Sequence, residues 1–422
     1  MNSNKQGGTL QLTKERRNPM ISVGIDVSKN KSTFCAIRFP EEIVIPPTEI
    51  EHSCPNLTNI LNQLQAYEEE VRFVMETTGH YHWSIAQFLF NQGEYVSCVN
   101  ALKIKKYMDQ NIRKVKTDKT DALTIAKYGI SYWNDLERFV PLNDIYMELR
   151  TLSRQYYHVT ALSSKAKVNL ENLIDRTMPN LHTVLLKNTH NNRTADFVLK
   201  YWHYENLTLK SEQAFIADLK KWSKKKGYII SATKASEIYN LAEKSIPSLP
   251  CSQSTKIAIE EAVHVLYESE ESRKRILSQM QSLAKTLPEY EIVRSMSGVA
   301  DILAPRLIAE IGDIKRYHNK HSLIAYAGLD APPYQSGSFT STTRHITKRG
   351  NKYLRKTGFE IMQMLVMHKP EGDVVFEYII QKKLEGKRPK VAMIAGLNKF
   401  LRMYYGKVSE LYYQLETDIL AA

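Results

Sequence analysis

Ile21-Ser-Val-Gly-Ile-Asp26 is a β-like run that ends in a carboxylate, and its reading decides the first third of the chain. A second run, Val71-Arg-Phe-Val-Met-Glu76, ends the same way. Further strand candidates lie at 32–39, 42–50 and 94–99, rich in Val, Ile, Phe and Tyr. Helical patterns fill 55–67, 80–92, 101–112 and 119–131. Three consecutive strands, followed by strands alternating with helices, predict a ribonuclease-H-like α/β domain. In that order Asp26 lies on the first, central strand and Glu76 on the fourth.

Two more acids, Asp118 and Asp121, stand in Lys116-Thr-Asp-Lys-Thr-Asp-Ala122, where a helix is expected to start. Acids at the ends of neighbouring strands converge on one sheet edge, and acids three apart on a helix share a face. Each has a plain structural alternative. Asp118 suits a helix N-cap, Asp121 a first turn favoured by the helix dipole, and Asp26 a turn. The four together, in a basic protein, point instead to hard oxygen ligands for a divalent ion such as Mg²⁺. Two such ions roughly 4 Å apart activate an attacking oxygen and stabilise a leaving one in phosphoryl transfer.

The charge supports a phosphodiester target. Among 422 residues, 58 Lys and Arg face 45 Asp and Glu, a net +13. Such a balance favours nucleic acid or an anionic membrane surface. The membrane reading is weak, because no apolar stretch reaches about 18 residues. The first twenty residues are polar and basic, with no apolar core of a signal peptide, and read as a flexible arm. Cys35, Cys54, Cys98 and Cys251 are scattered without a paired motif, which fits a reducing cytoplasm and no structural zinc. His80 and His82 lack the spacing and cysteine partners of a metal pair.

From about 143 the chain turns helical. Leu149, Leu152, Tyr156, Val159, Ser163, Ala166, Leu170 and Leu173 alternate spacings of three and four, a heptad seam. Ile259, Ala262, Leu266, Ile276, Met280, Leu283 and Leu287 keep that phase, with Ser269 and Arg273 as polar breaks. Two such helices can pair within one chain or between two. The polar, lysine-rich stretch at about 180–255 is the least informative. Near 290, Met296-Ser-Gly-Val-Ala300 before an apolar helix suggests a helix-hairpin-helix, in which a glycine lets backbone amides approach a phosphate. An ordinary connection between helices is the alternative. Helices are expected at 350–368 and 390–416.

Two basic clusters are candidate phosphate contacts. Lys103, Lys105, Lys106, Arg113, Lys114, Lys116 and Lys119 lead up to the acids. Arg344, Lys348, Arg349, Lys352 and Arg355 follow Pro332-Pro-Tyr-Gln-Ser-Gly337. Ser336 sits in that second segment, between glutamine and glycine. A serine hydroxyl needs activation to act as a nucleophile, and cationic neighbours lower the charge cost of attack on a phosphate.

Six motifs occur in order: Gly24-Ile-Asp26-Val-Ser-Lys29, Met75-Glu76-Thr-Thr-Gly79, Lys116-Thr-Asp118-Lys-Thr-Asp121-Ala122, Ala327-Gly-Leu329, Gln335-Ser-Gly337 and Ile346-Thr-Lys-Arg-Gly-Asn351. Together they resemble the DEDD transposases of bacterial insertion sequences, insertion-sequence family 110 and its relatives. The resemblance runs from about 20 to about 410 and is loose over 180–255. It implies an α/β plus all-α chain: a flexible basic arm (1–20), a RuvC-like metal-dependent domain (21–140), a helical coiled-coil region (141–288) and a mainly helical transposase domain (289–422). By the same resemblance Asp26, Glu76, Asp118 and Asp121 hold Mg²⁺, for which Mn²⁺ can substitute. Ser336 takes the place of a nucleophilic serine that forms a transient phosphoserine link. Implied partners are double-stranded donor and target DNA, an element-encoded structured noncoding guide RNA, and further copies of the chain as a dimer or tetramer. The implied setting is the bacterial cytoplasm. A Mg²⁺-dependent, RuvC-like junction nuclease that hydrolyses DNA with water is the competing expectation. The intact set of acids disfavours a non-catalytic scaffold.

Overall fold

The computed structural model describes residues 20–77, 79–109, 118–141, 143–185, 193–332, 335–336, 339–340 and 345–421, with the backbone alone at 335–336, 339–340 and 421. The chain divides into two compact units, Met1–Pro141 and Leu142–Ala422.

The first unit is built on a five-stranded sheet. Its strands are β1 (Met20–Val27), β2 (Lys31–Arg38), β3 (Glu42–Glu51), β4 (Glu70–Glu76) and β5 (Tyr95–Val99). Their spatial order is β3-β2-β1-β4-β5. β2 pairs antiparallel with β1 and with β3, whereas β1, β4 and β5 run parallel. That is the ribonuclease-H-like arrangement expected from the sequence. β3 carries Pro46 and Pro47, which an edge strand tolerates because one row of its amides need not join a ladder.

Helices cover both faces. α1 (Cys54–Gln65) and α2 (His82–Asn91) lie on one side. There Leu57, Ile60, Leu61, Leu64, Ile85 and Leu89 pack on Ile21, Val23, Ile25, Phe34, Phe73 and Met75. α3 (Ala101–Met108) and α4 (Asp118–Ser131) lie on the other. There Ile104, Ile125 and Tyr128 meet Val74 and Val99, and Ala122 and Ala126 meet Cys35 and Ile37. Ser53 caps α1 by accepting from the Asn56 amide, and Asn100 caps α3 by accepting from the Leu102 amide.

The second unit is helical, with one small hairpin. Two long helices, α5 (Asp144–Thr177) and α11 (Gln253–Ala284), bracket five shorter ones: α6 (His182–Leu185), α7 (Arg193–Tyr201), α8 (Tyr204–Thr208), α9 (Glu212–Lys226) and α10 (Ala232–Lys244). α5 and α11 run antiparallel. Tyr146 and Leu149 at the start of α5 share a core with Met280 and Ala284 at the end of α11. Ala166, Leu170 and Ile174 share another with Ile259, Ala262 and Leu266, and Lys167 pairs with Glu270 at 2.9 Å. The heptad seam of α5 therefore finds its partner within the chain, although the spacing allowed either outcome. The stretch that said least in sequence is a packed bundle around Phe197, Tyr204, Leu207, Phe215, Leu219 and Ile238. Its chain leaves and returns at one point: the amides of Ser248 and Leu249 both donate to the Arg176 carbonyl, at 2.9 and 3.1 Å.

After α11 come α12 (Tyr290–Ser295), α13 (Leu303–Ile311) and α14 (Lys320–Ala327). The hairpin β6 (Gln335–Ser336) and β7 (Phe339–Thr340) follows, then α15 (Lys352–His368), α16 (Val374–Leu384) and α17 (Pro389–Ala421). α13 is buried along its whole length, charged residues included. Glu310 accepts from Ser153 Oγ at 2.8 Å, Arg154 at 2.9 Å and Asn351 Nδ2 at 2.9 Å, and Arg306 pairs with Glu360 at 2.7 Å. Such pairing is what allows charge inside a core. The Met296–Ala300 turn is also a packing device. A Cβ at Gly298, whose φ is +77°, would stand 3.0 Å from the Ile361 carbonyl oxygen and from Leu365 Cγ of α15. That packing is reason enough for glycine at this turn. No described helix is long and apolar enough to cross a membrane.

Candidate functional site

Register brings Asp26 and Glu76 together. β1 and β4 run parallel with Ile25 opposite Met75. The next residue on each strand, Asp26 and Glu76, therefore leaves the sheet at the same edge. Side chains alternate across a strand. Ile25 and Met75 belong to the core under α1 and α2, while Val74 belongs to the core against α3 and α4. Asp26 and Glu76 thus stand on the α4 side, half-buried.

α4 lies along β1 almost backbone to backbone. A Cβ at Gly24 would sit 2.2 Å from the Ala122 carbonyl oxygen and 2.3 Å from the Ala126 nitrogen. A Cβ at Gly129 would sit 2.1 Å from Ser22 Oγ. The end of α4 thus covers Ser22 and its middle covers Gly24. Two strand residues advance about 6.6 Å and four helix residues about 6 Å. One further step along both elements carries the first turn of α4, with Asp118 and Asp121, to the level of Asp26. Lys31 marks the same place. It opens β2 next to Ser32, which pairs with Val27 at the end of β1. Its ammonium pKa is raised by the hydrogen bond and charge of Glu49, with Asp118 and Glu51 adding. Sequence reasoning passed over Lys31; its place beside the acids follows only from the β1–β2 turn.

Among the described residues, only His203, Glu205 and Cys251 bring three ligand atoms within 4.8 Å of one another. That trio is a capping arrangement. His203 Nδ1 accepts from the Glu205 amide at 3.2 Å, which leaves Nε2–H to donate to the Leu249 carbonyl at 3.0 Å.

Lys103, Lys105 and Lys106 are exposed on α3, held by the buried Ile104, and Lys119 is exposed in the first turn of α4. Arg113, Lys114 and Lys116 lie outside the described residues.

In the second unit the backbone of Ser336 lies in a small hairpin. Ser336 pairs antiparallel with Phe339, and Gln335 with Thr340. The two arms are tied at their base. The Thr347 amide donates to the Asp330 carbonyl at 2.9 Å, Thr347 Oγ1 donates to Asp330 Oδ1 at 2.6 Å, and the Lys348 amide donates to the Gly328 carbonyl at 3.0 Å. A Cβ at Gly350 would sit 2.4 Å from the Tyr326 carbonyl oxygen, so the backbones touch there. Asn351 then opens α15, its Oδ1 accepting from the Tyr353 and Leu354 amides at 2.9 and 3.1 Å. The Ala327–Leu329 and Ile346–Asn351 motifs are this frame. Lys348, Arg349 and Lys352 are exposed on it. Arg355 is half-buried, with one guanidinium nitrogen donating to the Ala327 carbonyl at 2.9 Å, and burial lowers its pKa. Arg344 lies outside the described residues.

Comparison with known proteins names what fold and motifs define. Residues 23–179 match the family model of the IS110 DEDD transposases, described as "Transposase", and residues 290–376 match "Transposase IS116/IS110/IS902 family". The protein is thus a DNA-processing transposase whose first unit is the ribonuclease-H-like sheet described above. It belongs to the IS110 family of insertion-sequence transposases. The "Insertion element IS116 uncharacterized 44.8 kDa protein" of Streptomyces clavuligerus is 24% identical over 88% of this chain and 90% of its own length. The "Pilin gene-inverting protein" of Moraxella bovis is 21% identical over 92% of this chain and 95% of its own. Among solved structures, RuvC of Thermus thermophilus aligns with 28% of this chain and 100% of its own at 12% identity, with a TM-score of 0.23.

Proposed function

We propose that this chain cuts and rejoins double-stranded DNA, donor and target, to mobilise an insertion sequence, with a carboxylate site at one edge of the sheet and Ser336 as nucleophile. The observation that carries the reading is the placement of Asp26, Glu76, Asp118 and Asp121 at one end and on one face of β1, β4 and α4. Four carboxylates are a donor set suited to a hard divalent cation. Mg²⁺, or Mn²⁺ in its place, would be held there and supply charge neutralisation at the reacting phosphate.

The serine step balances without a co-reactant. Ser336 Oγ bonds to phosphorus, the bond from phosphorus to the 3′ oxygen breaks, and the serine proton ends on the released 3′ hydroxyl. The phosphoserine conserves the bond energy, so attack by a 3′ hydroxyl reverses the step and rejoins a strand. Lys348 and Arg349, exposed on the same frame, offset charge gathering on the phosphate. Lys103, Lys105, Lys106 and Lys119 contact the DNA backbone beside the acids. An element-encoded structured RNA, which the family resemblance suggests, selects the two DNAs. More than one copy of the chain acts, each supplying one serine.

The test is a denaturing gel of wild type and Ser336→Ala after incubation with DNA carrying the element's ends and Mg²⁺. The wild type leaves protein attached to a DNA end; Ser336→Ala binds DNA but forms neither adduct nor recombinant. An adduct of equal yield in Ser336→Ala places the nucleophile elsewhere. Cut ends without any adduct in the wild type establish the hydrolytic nuclease instead.

A further inference from the structure

Beside the Ser336 hairpin the second unit holds a groove of about 570 Å³. Small-molecule sites span roughly 300–1,000 Å³. Leu329 and Ile346, one from each arm of the hairpin frame, form part of its wall, and Val391 and Ile394 of α17 form more. Tyr378, Asn398, Lys399 and Arg402 supply polar groups. No acid lines it among the described residues. Lys399 and Arg402 stand three apart on α17 and share a face. Lys399 Nζ lies 4.9 Å from the centre of the Tyr378 ring, and Lys382 Nζ, paired with Glu385 at 2.7 Å, lies 5.1 Å from it. Neither Lys399 nor Arg402 forms an ion pair with a described carboxylate.

An apolar slot lined also by an amide and two cations that have no carboxylate partner among the described residues complements one kind of occupant. Flat apolar faces, a hydrogen-bonding edge and an attached anion are the three parts of a nucleotide. We propose that this groove takes one unstacked nucleotide of the DNA strand that enters the Ser336 hairpin. Its base packs between the aliphatic walls, its edge meets Asn398, which offers both a donor and an acceptor, and its phosphate meets Lys399 and Arg402. Burying a base in this way is tolerant of sequence, because every base has a flat apolar face. It would hold the strand in place while a neighbouring phosphate lies on the hairpin. The proposal rests on the reading that this chain acts on DNA, and adds where a base goes.

The experiment measures affinity of the full chain for two short duplexes, one fully paired and one carrying a single bulged 2-aminopurine. The bulged duplex should bind about tenfold more tightly, with its fluorescence shielded from acrylamide. Ala395→Trp, which fills the groove from α17, and Arg402→Ala should each make the two duplexes bind equally. Equal binding by the wild type, or a preference that survives both variants, overturns the proposal and leaves the DNA reading standing. A preference that appears only when the bulged strand is RNA overturns the assignment to DNA. Failure of the full chain to bind either duplex removes this proposal and the DNA reading together. Should thermal melting show that Ala395→Trp does not fold, the exposed Arg402 decides alone.

Discussion

Gly24 shows how little room the acidic edge leaves. The atoms its Cβ would strike are backbone atoms of α4, which cannot swing aside as a side-chain tip can. Gly24→Ala should destabilise the first unit by about 1–3 kcal/mol, as overpacking does, and push Asp118 and Asp121 away from Asp26. Melting temperature and strand transfer should fall together in that variant. Asp26→Asn, Glu76→Gln, Asp118→Asn and Asp121→Asn should instead leave melting nearly unchanged while each abolishes strand transfer, since each removes one charged oxygen. Near-wild-type activity in two of the four would end the metal-site assignment. The cysteines give a separate check on the same unit. Burial raises the Cys35 thiol from 9.0 to about 11 and Cys98 to about 12, while Cys54 is exposed. Only thiolates alkylate readily. Iodoacetamide at pH 8 should therefore mark Cys54 and spare Cys35 and Cys98 in the folded chain. A raised thiol pKa favours the fold while the unfolded thiol is still protonated. That contribution is complete below about pH 9 and is lost as pH rises toward 11–12. Urea midpoints across that range should fall with pH, and should fall less in Cys98→Ala.

At the level of elements, the strands were legible because Val, Ile, Phe and Tyr cluster between turn residues, and all five fall within a residue or two of the expected runs. The seam of α5 was legible as a seam but not in its choice of partner, since heptad spacing encodes a face and not what covers it. α11 covers it, so Leu170→Asp should lower stability by several kcal/mol, roughly the 2–5 of a truncated core leucine or more. It should not release a dimer. Light scattering that shows dissociation at unchanged melting temperature would restore the interchain reading. The small helices from α6 to α10 were opaque because their aromatic core residues are spaced among lysines and acids in runs too short for a clear period. The Ile346–Asn351 motif was visible only by resemblance, and the structure supplies its physical reason. Asn351 caps α15 and also donates to Glu310 and, at 3.2 Å, to the Tyr326 hydroxyl. Asn351→Ala should cost about 1–3 kcal/mol, from a lost cap and an under-satisfied buried carboxylate, and should loosen the Ser336 hairpin. Rescue by Asn351→Asp is not expected, because a second carboxylate would face Glu310.

At the scale of the whole molecule, the net charge of +13 becomes a salt dependence. If Lys103, Lys105, Lys106, Lys119, Lys348, Arg349 and Lys352 each meet one phosphate, log affinity for duplex DNA should fall against log salt with a slope near −6. A nearly flat line would remove the phosphate contacts. Lys105→Glu should make the line shallower. The groove beside the hairpin was illegible in sequence for a simple reason. Its walls come from positions some seventy residues apart, and no single one is unusual. Because the seam of α5 is satisfied internally, any association of several copies must use other surfaces, and mass measurement of the complex with DNA decides it. The chain departs from α5 and rejoins α11 at a single carbonyl, that of Arg176. A segment whose two ends meet can be lengthened, shortened or exchanged in the gene without altering the path of what flanks it. Residues between Arg176 and Ser248 are thus where insertion elements of this kind can drift in length while their catalytic parts stay in step, and where an inserted tag should be carried without loss of transposition.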